Sequence, residues 1–150
     1  VLEMPEDMSP VALSRSKPVV TKAAAEELIR RAFDHAEKIG KTVAIAVVDD
    51  GGFLIAFSRM DAANPAAAQI AIDKAYTAAV SHIATHKWQE IMKDDEPLRI
   101  GAPGVVHRLM TFGGGQPIVI DGQIAGAIGS SGGHWTGDTE ITTEALKLFD

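Results

Sequence analysis

The chain has 150 residues, a formal net charge of −6, an apolar fraction of 46% and no cysteine. That length suits one domain with a core of its own. The acidic balance argues against non-specific binding to nucleic acid or anionic membrane. No apolar run reaches the roughly 18 residues of a membrane span, and the lack of cysteine excludes disulfides, zinc–thiolate sites, iron–sulfur clusters and thiol nucleophiles.

Residues 1–20 carry Pro5, Pro10 and Pro18 and read as an extended arm, with Val11, Leu13, Val19 and Val20 suited to dock on a neighbour. The rest, 21–150, reads as a single domain. Thr21 is a helix N-cap. Leu28, Ile29, Ala32, Phe33, Ala36 and Ile39 follow at helical spacing, and Gly40 closes the helix. The runs Thr42–Val48 and Phe53–Phe57 flank Asp49-Asp50-Gly51-Gly52 and predict a hairpin. Asn64-Pro65 predicts the start of a long helix to about Met92, with Ile72, Ala75, Tyr76, Ala79 and Ile83 as its buried stripe. Residues 93–103 read as a charged loop bounded by proline, and 104–112 are ambiguous between strand and loop.

The stretch 112–133 is the most informative. Ile118-Val119-Ile120 and Ile124–Ile128 flank Asp121-Gly122, a dipeptide suited to a two-residue hairpin turn with both φ values positive. Glycines crowd both ends, at 113–115 and 129–133, and leave backbone N–H groups free of side-chain cover. A last amphipathic helix is predicted from Thr139 to Phe149, capped near Asp138. Helices alternating with hairpins make the fold class α+β, with an antiparallel sheet.

The candidate chemistry is dispersed. His82 and His86 lie four apart on the predicted long helix, a spacing that lets two imidazoles share a metal; the same pair also suits a helix C-terminus. No glutamate follows His82, so the metalloprotease pattern fails. Asp49 and Asp50 suit acid–base work or simply a turn. Lys74, Arg59 and Asp61 are candidates for a cleft, although charged helix residues are commonly solvated. Ser130, Ser131 and His134 lie close in sequence but lack an orienting acid. The glycines at 113–115 precede a strand and not a helix, which disfavours a dinucleotide fingerprint, and no phosphate-binding loop or nucleophile elbow is present. An aromatic fraction of 5% gives no stacking platform for single-stranded nucleic acid. Trp135 suits the cap of a pocket or interface, and Trp88 a core or interface position.

Five segments in order carry a family resemblance: Val47–Gly52, Arg59-Met60-Asp61-Ala62, Lys74-Ala75-Tyr76-Thr77-Ala78, Phe112–Ile118 and Gly126–Gly132. Over residues 20–148 the chain resembles the GlcG/HbpS family, which includes haem-binding-like proteins and C-terminal domains of some cobalamin adenosyltransferases. The resemblance implies a profilin-like α+β fold with a five-stranded antiparallel sheet flanked by helices. It also implies homo-oligomers, often octamers, and haem or iron binding in some members. The family's haem-binding threonine matches Thr85, and other members use histidine, which makes His86 a second candidate. The chain departs from the family at Ala84-Thr85-His86, where a Pro-Thr pair is usual, and at His134-Trp135-Thr136-Gly137.

Two functional classes and one structural role follow. One is an oligomeric binder of haem or a related tetrapyrrole. A bound group would meet Lys74, Thr85, His86, Gly113, Gly114, Gly115, Ser131 and Gly132. The second is a catabolic enzyme, a hydratase, isomerase or hydrolase, acting on a small organic acid. Glycine N–H groups would hold the acid, and Asp49, His82, His107 or His134 would move protons. The third is a scaffold whose glycine hairpin packs between subunits. A small-molecule ligand and a homo-oligomer are the expected partners, with no nucleic acid. Both a cytoplasmic protein and a processed secreted form fit the sequence.

Overall fold

The computed structural model describes residues 10–150; the expected arm at 1–9 lies outside the described residues. In chain order come α1 (Lys22–Lys38), β1 (Ala44–Asp49), β2 (Leu54–Arg59), α2 (Ala66–Ser81), α3 (Thr85–Lys93) and α4 (Glu96–Val105). Then follow β3 (Gly115–Ile120), β4 (Gln123–Ser131) and α5 (Trp135–Leu146), which runs into a short 3₁₀ turn. The sheet is antiparallel throughout, in the order β2-β1-β4-β3.

β1 is buried on both faces, and its alternation divides the core in two. Val43, Ile45 and Val47 face α1 and α5 together with Leu28, Ile128 and Ile141. Ala44, Ala46 and Val48 face α2 with Ala67, Ala71, Ala75 and Ala78. Large side chains thus fill one layer and small ones the other. The small layer is what lets α2 lie close on the sheet. A Cβ at Gly129 would collide with the Ala71 carbonyl and stand 2.7 Å from the Ala75 nitrogen.

Several sequence expectations meet this fold directly. The Thr21 hydroxyl accepts from the Ala24 N–H at 3.1 Å, capping α1. Gly40 has φ +69° at its other end, and Asp121 and Gly122 have φ of 51° and 74° in the hairpin turn. Asn64 caps α2, its side-chain oxygen accepting from the Ala67 N–H at 3.0 Å. Of the described arm, Val20 enters the chain's own core and donates its N–H to the Ala125 carbonyl at 2.9 Å. Val11, Leu13 and Val19 are exposed.

Four expectations are corrected and one ambiguity is resolved. The sheet has four strands among the described residues, not the five that the resemblance implied. The segment 104–112, ambiguous between strand and loop, ends α4 and then forms a turn pinned to α2. Arg108 sits at φ 57°, its carbonyl accepts from the Thr77 hydroxyl at 3.0 Å, and its side chain reaches Asp73 at 2.8 Å. The predicted long helix breaks at His82, which takes φ 62° after Ser81. Ser81 closes that break, its hydroxyl reaching the Thr77 carbonyl at 2.6 Å and accepting from the Trp88 indole N–H at 3.0 Å. The charged loop at 93–103 contains α4, capped by Asp95, whose carboxylate accepts from the Leu98 N–H at 3.0 Å. The last helix starts earlier than expected, with His134 as N-cap.

Two stability effects follow from these contacts. Gly129→Ala forces α2 off the sheet and lowers stability by about 3 kcal/mol, read as a drop in the urea midpoint. His82→Gly relieves a left-handed residue and raises stability by about 1 kcal/mol, read in the same titration.

Candidate functional site

The glycine clusters meet in the sheet: Gly115 pairs with Gly129 across β3 and β4, and the Ser130 N–H donates to the Gly114 carbonyl at 3.0 Å. Their bare backbone, however, is turned inward. Gly113, Gly114 and Gly115 are all buried. A Cβ at Gly115 would strike the Lys74 backbone, and one at Gly132 the Thr42 carbonyl. The Gly115 N–H is taken by the Thr85 hydroxyl at 2.8 Å. These glycines serve close approach within the chain.

Around that junction lies a buried charge pair. Lys74 comes from α2 on one side of the sheet and Asp138 from α5 on the other. Their side chains are 1% and 2% exposed, with Lys74 Nζ 3.1 Å from Asp138 Oδ2. Nζ also donates to the Ser130 carbonyl at 2.9 Å, and it lies 4.9 Å from the centre of the Phe112 ring. The Ser130 hydroxyl reaches Asp138 Oδ1 at 3.4 Å. Burial pushes the Lys74 amine below its ordinary value and the Asp138 carboxyl above its own; the attraction between them opposes both shifts. A cavity of about 290 Å³ opens on this pair, lined also by Ser131, Gly132, His134 and Trp135. The sequence offers Lys74 as a cleft candidate but puts the buried stripe at Ile72, Ala75, Tyr76, Ala79 and Ile83. Of these Ala75 and Ala79 are buried, and Ala71, Lys74 and Ala78 take the places of the other three, which are only half-buried. Asp138 and Phe112 were missed as its partners. Asp138 had been read only as a cap, and nothing local ties position 138 to position 74.

A second recess, of about 310 Å³, lies on the far side of Trp135 and is lined by His86, Gln89, Glu90, Lys93 and Thr139. His86 Nδ1 and Gln89 Oε1 are buried there without a hydrogen-bond partner. Such orphaned groups are uncommon in folded chains and ask for an explanation. Thr85, by contrast, is fully buried, and its hydroxyl is committed to the Gly115 backbone.

The remaining candidates do not converge. Asp49 accepts from the Gly51 and Phe53 N–H groups at 2.9 and 3.0 Å, as a turn carboxylate does. Asp50 pairs with Lys17. His82 is exposed at the helix break and belongs to an open recess with Arg15, Lys17 and Asp50. The break places His82 and His86 on different elements, so the four-residue spacing does not put them on one helix face. No cluster of three or more metal-ligating side chains occurs among the described residues. His107 packs edge-on against Tyr76, with ring centres 6.3 Å apart. His134 is exposed and bonds Thr136 at 2.8 Å through Nδ1. Arg59 and Asp61 are exposed.

These features define a small α+β domain in which one antiparallel sheet separates a single close-packed helix from a helix pair. The chain belongs to the HbpS-like family, whose model, described as haem degrading protein HbpS-like, matches residues 20–147. It is 38% identical to protein GlcG of Escherichia coli K12 over 117 residues, covering 78% of this chain and 84% of that protein. Klebsiella pneumoniae protein ORFY superposes with a TM-score of 0.85 at 29% identity, over 94% of this chain and 97% of that one. PduOC, solved as a complex with haem, superposes with a TM-score of 0.81 at 26% identity, over 88% and 96%. No helix among the described residues is long and apolar enough to cross a membrane.

The buried pair yields a double-mutant test. Lys74→Met strands a buried carboxylate and costs about 3–5 kcal/mol. Adding Asp138→Leu recovers most of that loss, because no buried charge is left unpaired. Urea unfolding of the two singles and the double measures the coupling.

Proposed function

We propose that this protein is an oligomeric small-ligand binder that takes haem or a related tetrapyrrole in the His86 recess. The observation that carries the reading is the His86 ring in a recess beside Trp135, with its Nδ1 buried and without a hydrogen-bond partner. Imidazole is a common axial ligand of haem iron. Trp135 offers an aromatic wall, and Lys93 a cation for the carboxylates at a macrocycle's edge. The residues present therefore fit the group. A bound haem would supply iron redox chemistry; the chain itself supplies the ligand nitrogen and partial exclusion of water. Thr85 supports the site from behind by tying α3 to β3, with its hydroxyl already bonded to Gly115. The family match and the haem complex of PduOC support the same reading. The exposed Leu54 and Phe57 on the edge strand β2, with Val11 and Leu13, give apolar surface for assembly into an oligomer, an octamer being the expected size.

The organic-acid reading needs free glycine donors. The Gly115 N–H bonds Thr85 and the Gly133 N–H faces the Asp138 carboxyl, so two of the donors it calls on are taken within the chain.

Titration of the purified chain with hemin tests the proposal. The expected result is a shifted Soret band saturating at one haem per chain, with quenching of Trp135 fluorescence. His86→Ala should weaken binding by about tenfold or more, some 1.4 kcal/mol. Thr85→Val should destabilise the fold and leave the spectrum of the bound form unchanged. An unshifted Soret band, or wild-type binding by His86→Ala, would sink the reading.

A further inference from the structure

The cavity at Lys74 is separate from the His86 recess, although Trp135 walls both. Its floor is the Lys74–Asp138 pair, and Phe112 and Trp135 stand at its sides. An ammonium carries three donors. Two of those on Lys74 are met, by the Ser130 carbonyl and the Asp138 carboxylate. In place of a third acceptor there is the face of the Phe112 ring. Gly114 keeps space beside the nitrogen, since a Cβ there would stand 2.8 Å from Nζ.

Charge and size narrow what can enter. An anion would meet Asp138 and a cation would meet Lys74, so the net-neutral floor favours an uncharged ligand with an acceptor for the remaining Lys74 hydrogen. A volume of about 290 Å³ lies at the small end of ligand pockets. A carbonyl carbon within reach of an amine beside aromatic walls is also the arrangement for condensation.

We propose that this pocket takes a small uncharged aldehyde or ketone and that Lys74 condenses with it to an imine. Burial disfavours both charges of the pair, drawing it toward uncharged amine and uncharged acid. From that form the Nζ lone pair adds to the carbonyl carbon, and a proton passes from nitrogen to oxygen, giving a carbinolamine. Asp138 gives its proton to that hydroxyl, which leaves as water. The remaining C=N bond carries a positive charge as an iminium beside an ionised Asp138. Amine, acid and carbonyl have become iminium, carboxylate and water, so the atoms and the net charge balance. The product also restores a paired charge at the two positions that now hold the salt bridge.

Reductive trapping tests this on the whole chain. The protein is incubated with acetone and sodium cyanoborohydride near neutral pH, then digested and mapped by mass spectrometry. Lys74 should gain one isopropyl group ahead of the exposed Lys22 and Lys147. Asp138→Asn preserves shape but has no proton to give, and should slow labelling of Lys74 about a hundredfold, with circular dichroism confirming the fold. An unmodified Lys74 beside labelled surface lysines overturns the proposal, as does wild-type labelling in Asp138→Asn. His86→Ala should label as wild type does, so failure here leaves the haem reading standing, and failure of hemin binding leaves this one standing.

Discussion

Gly129 and the alanines of α2 bring a helix and a sheet into backbone contact, and the other layers are arranged around that contact. Because α2 lies so low on β4, the stem of Lys74 passes close by the sheet. Its amine emerges at the sheet's end, where the Ser130 carbonyl and Gly114 lie. A helix held off by larger side chains would leave that amine in solvent. Close packing is therefore what converts an ordinary helix lysine into a buried one, and burial in turn demands a carboxylate from the opposite layer.

Asp138 meets that demand from α5, so a single polar contact joins the two helical layers around the end of the sheet. Asp138 sits one turn into α5, just beyond the loop that carries Gly132, Gly133 and His134. The same short segment thereby sets the helix start, the partner of Lys74 and the position of Trp135. Two cavities share that indole as a wall, with different chemistry on each side: a charge pair at Lys74, and an imidazole with an unpartnered Nδ1 at His86.

Much of this was legible locally. Thr21, Gly40, Asn64 and Asp121-Gly122 announce their turns and caps because each acts through its own backbone neighbours. Where the reading failed, the deciding contact was distant in sequence. No glycine or proline marks the break at His82; the bonds of Ser81 to Trp88 and of Thr85 to Gly115 place it. Pro97, Gly101, Pro103 and Gly104 disguised α4, although Asp95 before Pro97 carries a cap signal. The glycines of 113–115 suggest backbone open to a ligand or another chain, but their neighbours are Lys74, Thr85 and Trp135 of the same chain. A sequence shows that a position must be small and does not show what presses on it.

α4 stands apart from this dense arrangement. It packs chiefly on α3, buries only Ala102, and leaves Ile100 and Val105 exposed. Little free energy is lost when it detaches, so α4 is a weakly held unit that opens before the sheet does. Among the helices, α4 is the one expected to exchange its amides and be nicked first, and an inserted peptide is accommodated there at small cost. The same insertion between Gly113 and Gly115 would part both core layers at once.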